Sequence, residues 1–128
     1  MINNEIENFQ DIIAWQKAHT LVLEIYKTTK TFPYEEKFGL VSQMRRAIIS
    51  FELNIVEGFA RRKIKETLNF YNIANASLEE IKCQILICHD LNFINQEKYD
   101  DLIQLSSEAG RILHGWIKSQ RANCGLSC

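Results

Sequence analysis

The chain has 128 residues, with 15 Lys and Arg against 16 Asp and Glu, a formal charge of -1, 46% apolar residues, 5 Gly and 1 Pro. This excludes disorder, collagen-like repeats and low-complexity sequence. It also leaves too few turn formers for a β-sandwich, so one helical domain over residues 1–128 is expected.

Apolar periodicity divides the chain into four segments. In the first, Trp15, Ala18, Val22, Ile25 and Thr29 recur at alternating steps of three and four, which is one helical stripe. Asp11 is the expected N-cap of a helix over about 11–30. Phe32-Pro33 ends the pattern, because proline lacks a backbone N–H and biases the preceding residue to extended backbone.

The second helix is expected over about 35–60, starting after Pro33 with Glu35 and Glu36 near its N-terminus, and carrying Val41, Met44, Ile48, Phe51, Ile55 and Gly58. Gly58 reads as a C-terminal signal or a point of close packing. The third covers about 64–91, with Thr67, Tyr71, Ala74, Leu78, Ile81, Ile85 and Cys88 in the same rhythm. Asn95 caps the fourth, over about 95–120, with Tyr99, Leu102, Ser106, Ala109, Leu113 and Trp116; residues 122–128 read as a frayed tail. Short loops between long helices place sequential helices antiparallel, so the expected fold is an all-α, up-down-up-down four-helix bundle.

Ten apolar residues fall off these seams: Ile13, Leu23, Ile49, Leu53, Phe70, Ile73, Leu86, Ile87, Leu105 and Ile112. They either broaden the core or cover a subunit interface, since monomers rarely expose large contiguous apolar patches.

The longest charge-free run, Thr67 to Leu78, is twelve residues, too short for the roughly 20 of a membrane span. The first residues, Met1 to Glu7, carry acids where a secretory signal would have a basic start and an apolar core, so a cytoplasmic protein with reduced thiols is expected. Cys83 and Cys88 lie about 140° apart around a helix, which suits core thiols and not a shared metal site.

No catalytic constellation assembles. The residues three before His19, His89 and His114 are Gln16, Leu86 and Arg111, so the Glu-x-x-His pairs of di-iron bundles are missing, and Arg111 stands closer to His114 than in the Arg-to-His spacing of HEPN-type nucleases. Phosphate-loop, dinucleotide, zinc-protease and nucleophile-elbow motifs are also missing. An enzyme reading would rest only on Glu57, Glu80 and His19, titratable groups near the polar stripes, which assemble no nucleophile–base or metal constellation. No cofactor or metal is expected, and the histidines read as surface or interface residues.

The informative pattern is polar. Gln43, Arg46, Ser50, Asn54, Glu57 and Arg61 form one stripe on the second helix, and Ser77, Glu80 and Gln84 form another on the third. Gln, Ser and Asn hold places where a solvated helix favours Lys and Glu, so a structural polar network is expected, with Arg45 or Arg46 reaching Glu80 across the helix contact. The alternative is an ordinary solvated face.

Charge is also uneven. Arg45 to Lys65 holds six basic residues (Arg45, Arg46, Arg61, Arg62, Lys63, Lys65) against Glu52 and Glu57, whereas Glu79 to Glu108 holds seven acids and two bases. The basic corner is a candidate grip for RNA or DNA phosphates; the alternative is a solvated loop complementing a helix C-terminus.

Several of these residues carry a resemblance. Trp15-Gln16-Lys17-Ala18-His19, Phe32-Pro33 with Glu36, Gly39-Leu40, Gln43-Met44-Arg45-Arg46-Ala47, Asn54-Ile55-Val56-Glu57-Gly58-Phe59-Ala60-Arg61, Ile73-Ala74 with Ser77-Leu78 and Glu80, and Asp90-Leu91 occur in this order. Over about Phe9 to Arg121 the chain resembles the bacterial four-helix bundle proteins named after intervening sequences in 23S rRNA genes. It departs from their pattern at Ala76, commonly Gly, and at Lys82, commonly an acid.

The resemblance implies an antiparallel bundle assembling as a homopentamer with no known enzymatic activity. A related branch, the accessory variability determinant of diversity-generating retroelements, is basic and binds a reverse transcriptase and nucleic acid, but this chain lacks its strong positive charge. The expectation is a non-enzymatic, cytoplasmic, homo-oligomeric assembly or adaptor protein, whose partners are further copies of itself and an RNA or a nucleic-acid enzyme, with no membrane association. The alternative is an RNA- or DNA-binding module using the basic corner.

Overall fold

A computed structural model describes residues 6–124, so the acidic start, Met1 to Glu5, and the end of the tail, residues 125–128, lie outside it. Four helices form among the described residues: α1 (Ile13–Thr29), α2 (Leu40–Ala60), α3 (Ile64–Asp90) and α4 (Gln96–Cys124). The all-α architecture matches the periodicity.

Each helix packs on two neighbours, in the cyclic order α1, α2, α3, α4 and back to α1. The directions follow from paired residues. His19 meets Glu52 while Arg45 meets Thr29, so α1 and α2 run antiparallel. Ser50 meets Ser77 while Thr67 meets Gly58, and Trp116 meets Tyr71 while His89 meets Gln96, so α3 runs against both α2 and α4. The seam residues fill the space between the four helices, with Leu21, Ile25, Ile48, Phe51, Ile55, Tyr71, Ile81, Ile85 and Leu113 fully enclosed.

Several helix ends differ from the expectation. Asp11 is not the cap of α1; it closes a 3₁₀ turn at Phe9–Asp11, and Ile12 occupies the cap position with no side-chain hydrogen bond. Ile12 is buried, so packing fixes this end without an Asp cap. After Pro33 the chain makes another 3₁₀ turn, Tyr34–Glu36, and α2 starts only at Leu40. Glu36 then supplies the cap from upstream, accepting the Leu40 N–H at 3.3 Å. At the other end, α4 continues to Cys124, so residues 122–124 of the expected tail are helical, and residues 125–128 lie outside the described residues.

Two ends fit their sequence. Asn95 Oδ1 accepts the Lys98 N–H at 2.8 Å, as an N-cap should. At the end of α3, Asn92 takes φ 64, and the Phe93 and Asn92 N–H groups bond back to the Cys88 and His89 carbonyls at 2.9 and 3.0 Å. This is a Schellman closure, with asparagine in the left-handed position that glycine usually fills.

Candidate functional site

The α2 polar stripe does face α3. Ser50 and Ser77 share a hydroxyl–hydroxyl hydrogen bond of 2.9 Å, and Asn54 Nδ2 donates to the Ser50 carbonyl at 2.8 Å and to its hydroxyl at 3.1 Å. Gln84 Nε2 donates to Glu80 Oε2 at 3.4 Å, while the buried Gln84 Oε1 has no partner. Gln43, Arg46, Ala47, Ser50, Ser77 and Glu80 line one cleft of about 330 Å³.

No direct ion pair of 4 Å or less joins Glu80 to Arg45 or Arg46 among the described residues. Arg45 turns to α1, where its Nε donates to Thr29 Oγ1 at 3.0 Å, its Nη2 to the Tyr26 carbonyl at 3.2 Å, and its guanidinium stacks 4.5 Å from the Tyr26 ring centre. Arg46 lines the cleft with Glu80, yet no ion pair of 4 Å or less joins them among the described residues. Consecutive residues of a helix point about 100° apart, so Arg45 and Arg46 serve different neighbours.

The surplus apolar residues resolve the same way. Of the ten off-seam residues, Ile13, Leu23, Leu53, Ile73, Leu86 and Ile87 are exposed, while Ile49, Phe70, Leu105 and Ile112 are half-buried. Every exposed large hydrophobic side chain lies on α1, α2, α3 or their connections; α4 has none among the described residues. On α2, Ile49, Leu53, Val56 and Ala60 follow at four, three and four, a row beside the polar cleft. On α3, Ile73 and Ile87, each 41% exposed, flank Glu80 at steps of seven. The polar cleft is therefore bordered by apolar rows on both helices, unlike a solvated face.

The basic corner is smaller than the sequence suggests. Arg45 and Arg46 stand roughly 22–24 Å along α2 from Arg61, at a rise of about 1.5 Å per residue, so they share no patch with it. Arg61 is spoken for by Glu57 at 2.6 Å and by the Phe70 ring, 4.6 Å from its guanidinium. Arg62, Lys63 and Lys65 are exposed. What remains is a knob of three cations at the α2–α3 turn.

A second cleft, of about 260 Å³, opens at that same end, lined by Gly58, Phe59, Arg61, Arg62, Ile64, Thr67, Tyr71, Trp116, Gln120 and Asn123. The sequence periodicity places Tyr71 and Trp116 only on apolar seams. Their meeting depends on α3 and α4 being adjacent, and the one signal for it was Gly58, whose lack of a Cβ lets the Tyr71 ring lie against α2.

The thiols divide: Cys88 is buried with its Sγ 3.4 Å from Met44 Sδ, but Cys83 is exposed and not a core thiol. Burial pushes the Cys88 thiol up to about 12, and the nearby Glu36 carboxylate adds to the shift. His19 stacks on Trp15 and pairs with Glu52 at 3.0 Å, His89 meets Gln96 at 3.0 Å, and His114 is exposed. No group of His, Cys, Asp or Glu among the described residues could hold a metal ion. No helix among them is long and apolar enough to cross a membrane.

Comparisons place this geometry among known proteins. The sequence pattern of the family described as 23S rRNA-intervening sequence protein matches residues 10–115. The fold is similar to the crystal structure of a protein of unknown function of the S23 ribosomal protein family from Bacteroides thetaiotaomicron, with a TM-score of 0.77 and 23% identity over 83% of this chain and 96% of that one. The sequence matches no curated protein.

Proposed function

The chain belongs to the 23S rRNA-intervening sequence protein family, and we propose that it works without enzymatic activity, as a homo-oligomeric helical bundle serving assembly or adaptor roles around such RNA-linked elements. The observation that carries the reading is the one-sided distribution of apolar surface. Leu23, Leu53, Ile73 and Ile87 stand in water on three helices while α4 keeps a polar outer face. Apolar side chains left in water on three of the four helices are what an interaction surface supplies. A repeated copy is the economical occupant, because closed symmetric assemblies reuse one surface patch and its complement. A pentamer is the number that the family resemblance implies.

The test is mass in solution by light scattering. The parent should run as an oligomer, and Leu53→Asp with Ile73→Asp should run as folded smaller species, because both side chains are already exposed and the core is untouched. A parent that stays monomeric at micromolar concentration would refute the reading.

A second reading is nucleic-acid binding through the knob formed by Arg62, Lys63 and Lys65, favoured by the exposure of all three. It predicts RNA affinity that falls steeply with salt and drops when Arg62, Lys63 and Lys65 become Ala. Binding unchanged by those substitutions would reject the patch.

A further inference from the structure

The two most exposed aromatic rings among the described residues stand together on the turn between α1 and α2, Tyr34 at 78% and Phe38 at 82%. The core does not need them, because Phe32 fills that role, buried with its ring 5.2 Å from that of Phe93. The turn itself is braced. Pro33 fixes its entry, a 3₁₀ turn follows at Tyr34–Glu36, and Glu36 ties the exit to α2 by accepting the Leu40 N–H. A short, anchored segment therefore holds both rings out in water.

Cations surround them. The Lys37 ammonium lies 5.7 Å from the Tyr34 ring centre and 5.6 Å from that of Phe38. Lys30, Lys37 and Arg45 line a cleft of about 230 Å³ beside Tyr34, and no carboxylate among the described residues lines it. Neither lysine has an ion pair among the described residues. Arg45 is steadied by Thr29 and the Tyr26 carbonyl, which take two of its five N–H groups and leave three for a ligand. Of the turn's two acids, Glu36 is engaged by Leu40, and Glu35 is exposed outside the cleft lining.

Exposed rings interleaved with unpaired cations fit one partner better than the others. A protein interface gathers aromatics but depletes lysine, whereas a single strand of nucleic acid uses both, flat rings for its bases and cations for its phosphates. We propose that this turn binds single-stranded nucleic acid, with bases stacked on Tyr34 and Phe38 and phosphates held by Lys30, Lys37 and Arg45. Stacking reads no base edge, so the site tolerates any sequence. The knob of Arg62, Lys63 and Lys65 lies beyond the far end of α2, about 30 Å along the helix. The site therefore depends neither on that knob nor on the oligomer reading.

The experiment is fluorescence anisotropy of a labelled oligouridine RNA and of an abasic strand with the same number of phosphates. It uses the full chain carrying Arg62→Ala, Lys63→Ala and Lys65→Ala, so that the knob takes no part. At about 50 mM salt the RNA should bind with a Kd below about 100 μM, and the abasic strand at least about tenfold more weakly. Tyr34→Ala and Phe38→Ala, exposed changes that leave the core untouched, should each weaken the RNA at least about fivefold and leave the abasic strand unchanged. Three phosphate contacts give log Kd a slope of about 2 against log salt, which Lys30→Gln with Lys37→Gln should cut to about 0.7. The proposal is overturned if the RNA does not bind below that threshold, if RNA and abasic strand bind alike, or if the alanine variants bind the RNA as their parent does. Light scattering of the same variants reads the alternative: a fall in mass with RNA affinity unchanged assigns the rings to a contact between copies and overturns it as well.

Discussion

Replacing Gly58 with Ala sets two opposing effects against each other at one position. Alanine is favoured over glycine inside a helix by about 1 kcal/mol, and less near an end. Gly58 lies in the last turn of α2, so the gain is at its smallest there. Against it, an added Cβ would overlap Cε1 of Tyr71 and stand 2.7 Å from its Cδ1. The ring cannot swing aside, because Tyr71 is wholly buried and bonded to Trp116. Overpacking of this kind costs about 1–3 kcal/mol, so the net effect should be a loss of about 1–2 kcal/mol. Gly115 is the control, since it lies inside α4 with nothing within 4 Å of an added Cβ. Gly115→Ala should therefore stabilise by roughly 0.5–1 kcal/mol from propensity alone. Urea unfolding followed by circular dichroism reads both, at one fixed chain concentration because association adds to apparent stability. The close-approach argument fails if Gly58→Ala matches or exceeds the parent, or if the two alanines move stability in the same direction.

Asn92 has φ 64, so Asn92→Gly should hold or slightly raise stability while Asn92→Ala lowers it by about 1 kcal/mol, measurable in the same urea series. With Cys124 and Cys128 replaced by Ser, the folded protein should show a single fast-reacting thiol, the exposed Cys83, and release the buried Cys88 only on unfolding; rapid reaction of both would contradict the packing. Burial raises the Cys88 thiol from 9.0 to about 12, so the fold holds that proton more tightly than the unfolded chain does. Stability from this group is complete below pH 9 and falls as pH rises toward 12, with the Tyr71 phenol, also raised by burial, acting in the same direction. Unfolding midpoints measured from pH 8 upward should decline, and a flat profile would count against both burials.

The helices were legible because the seams repeat without a break: every third or fourth residue from Ala14 to Ile25, from Val41 to Ile55 and from Tyr71 to Cys88 is enclosed. The ends were less so, because capping here is done by groups that local rules do not nominate. Buried Ile12 and upstream Glu36 hold the helix starts at which local rules nominate Asp11 and Pro33. The polar stripes showed which face of α2 is unusual but not which helix each guanidinium would serve, since spacing fixes an angle around one helix and says nothing of its neighbours. Arg45 illustrates the point: its partner is Thr29, a polar residue inside an apolar seam, and that anomaly was the available clue. The cleft around Tyr71 and Trp116 joins residues of three helices, so no reading of one segment could assemble it.

Sedimentation or light scattering of the purified chain, across concentrations from sub-micromolar upward, addresses the main proposal directly. The exposed rows on α1, α2 and α3 call for a discrete assembly that persists on dilution and breaks down when Leu53 and Ile73 carry carboxylates. A particle of 14.9 kDa at every concentration would contradict it.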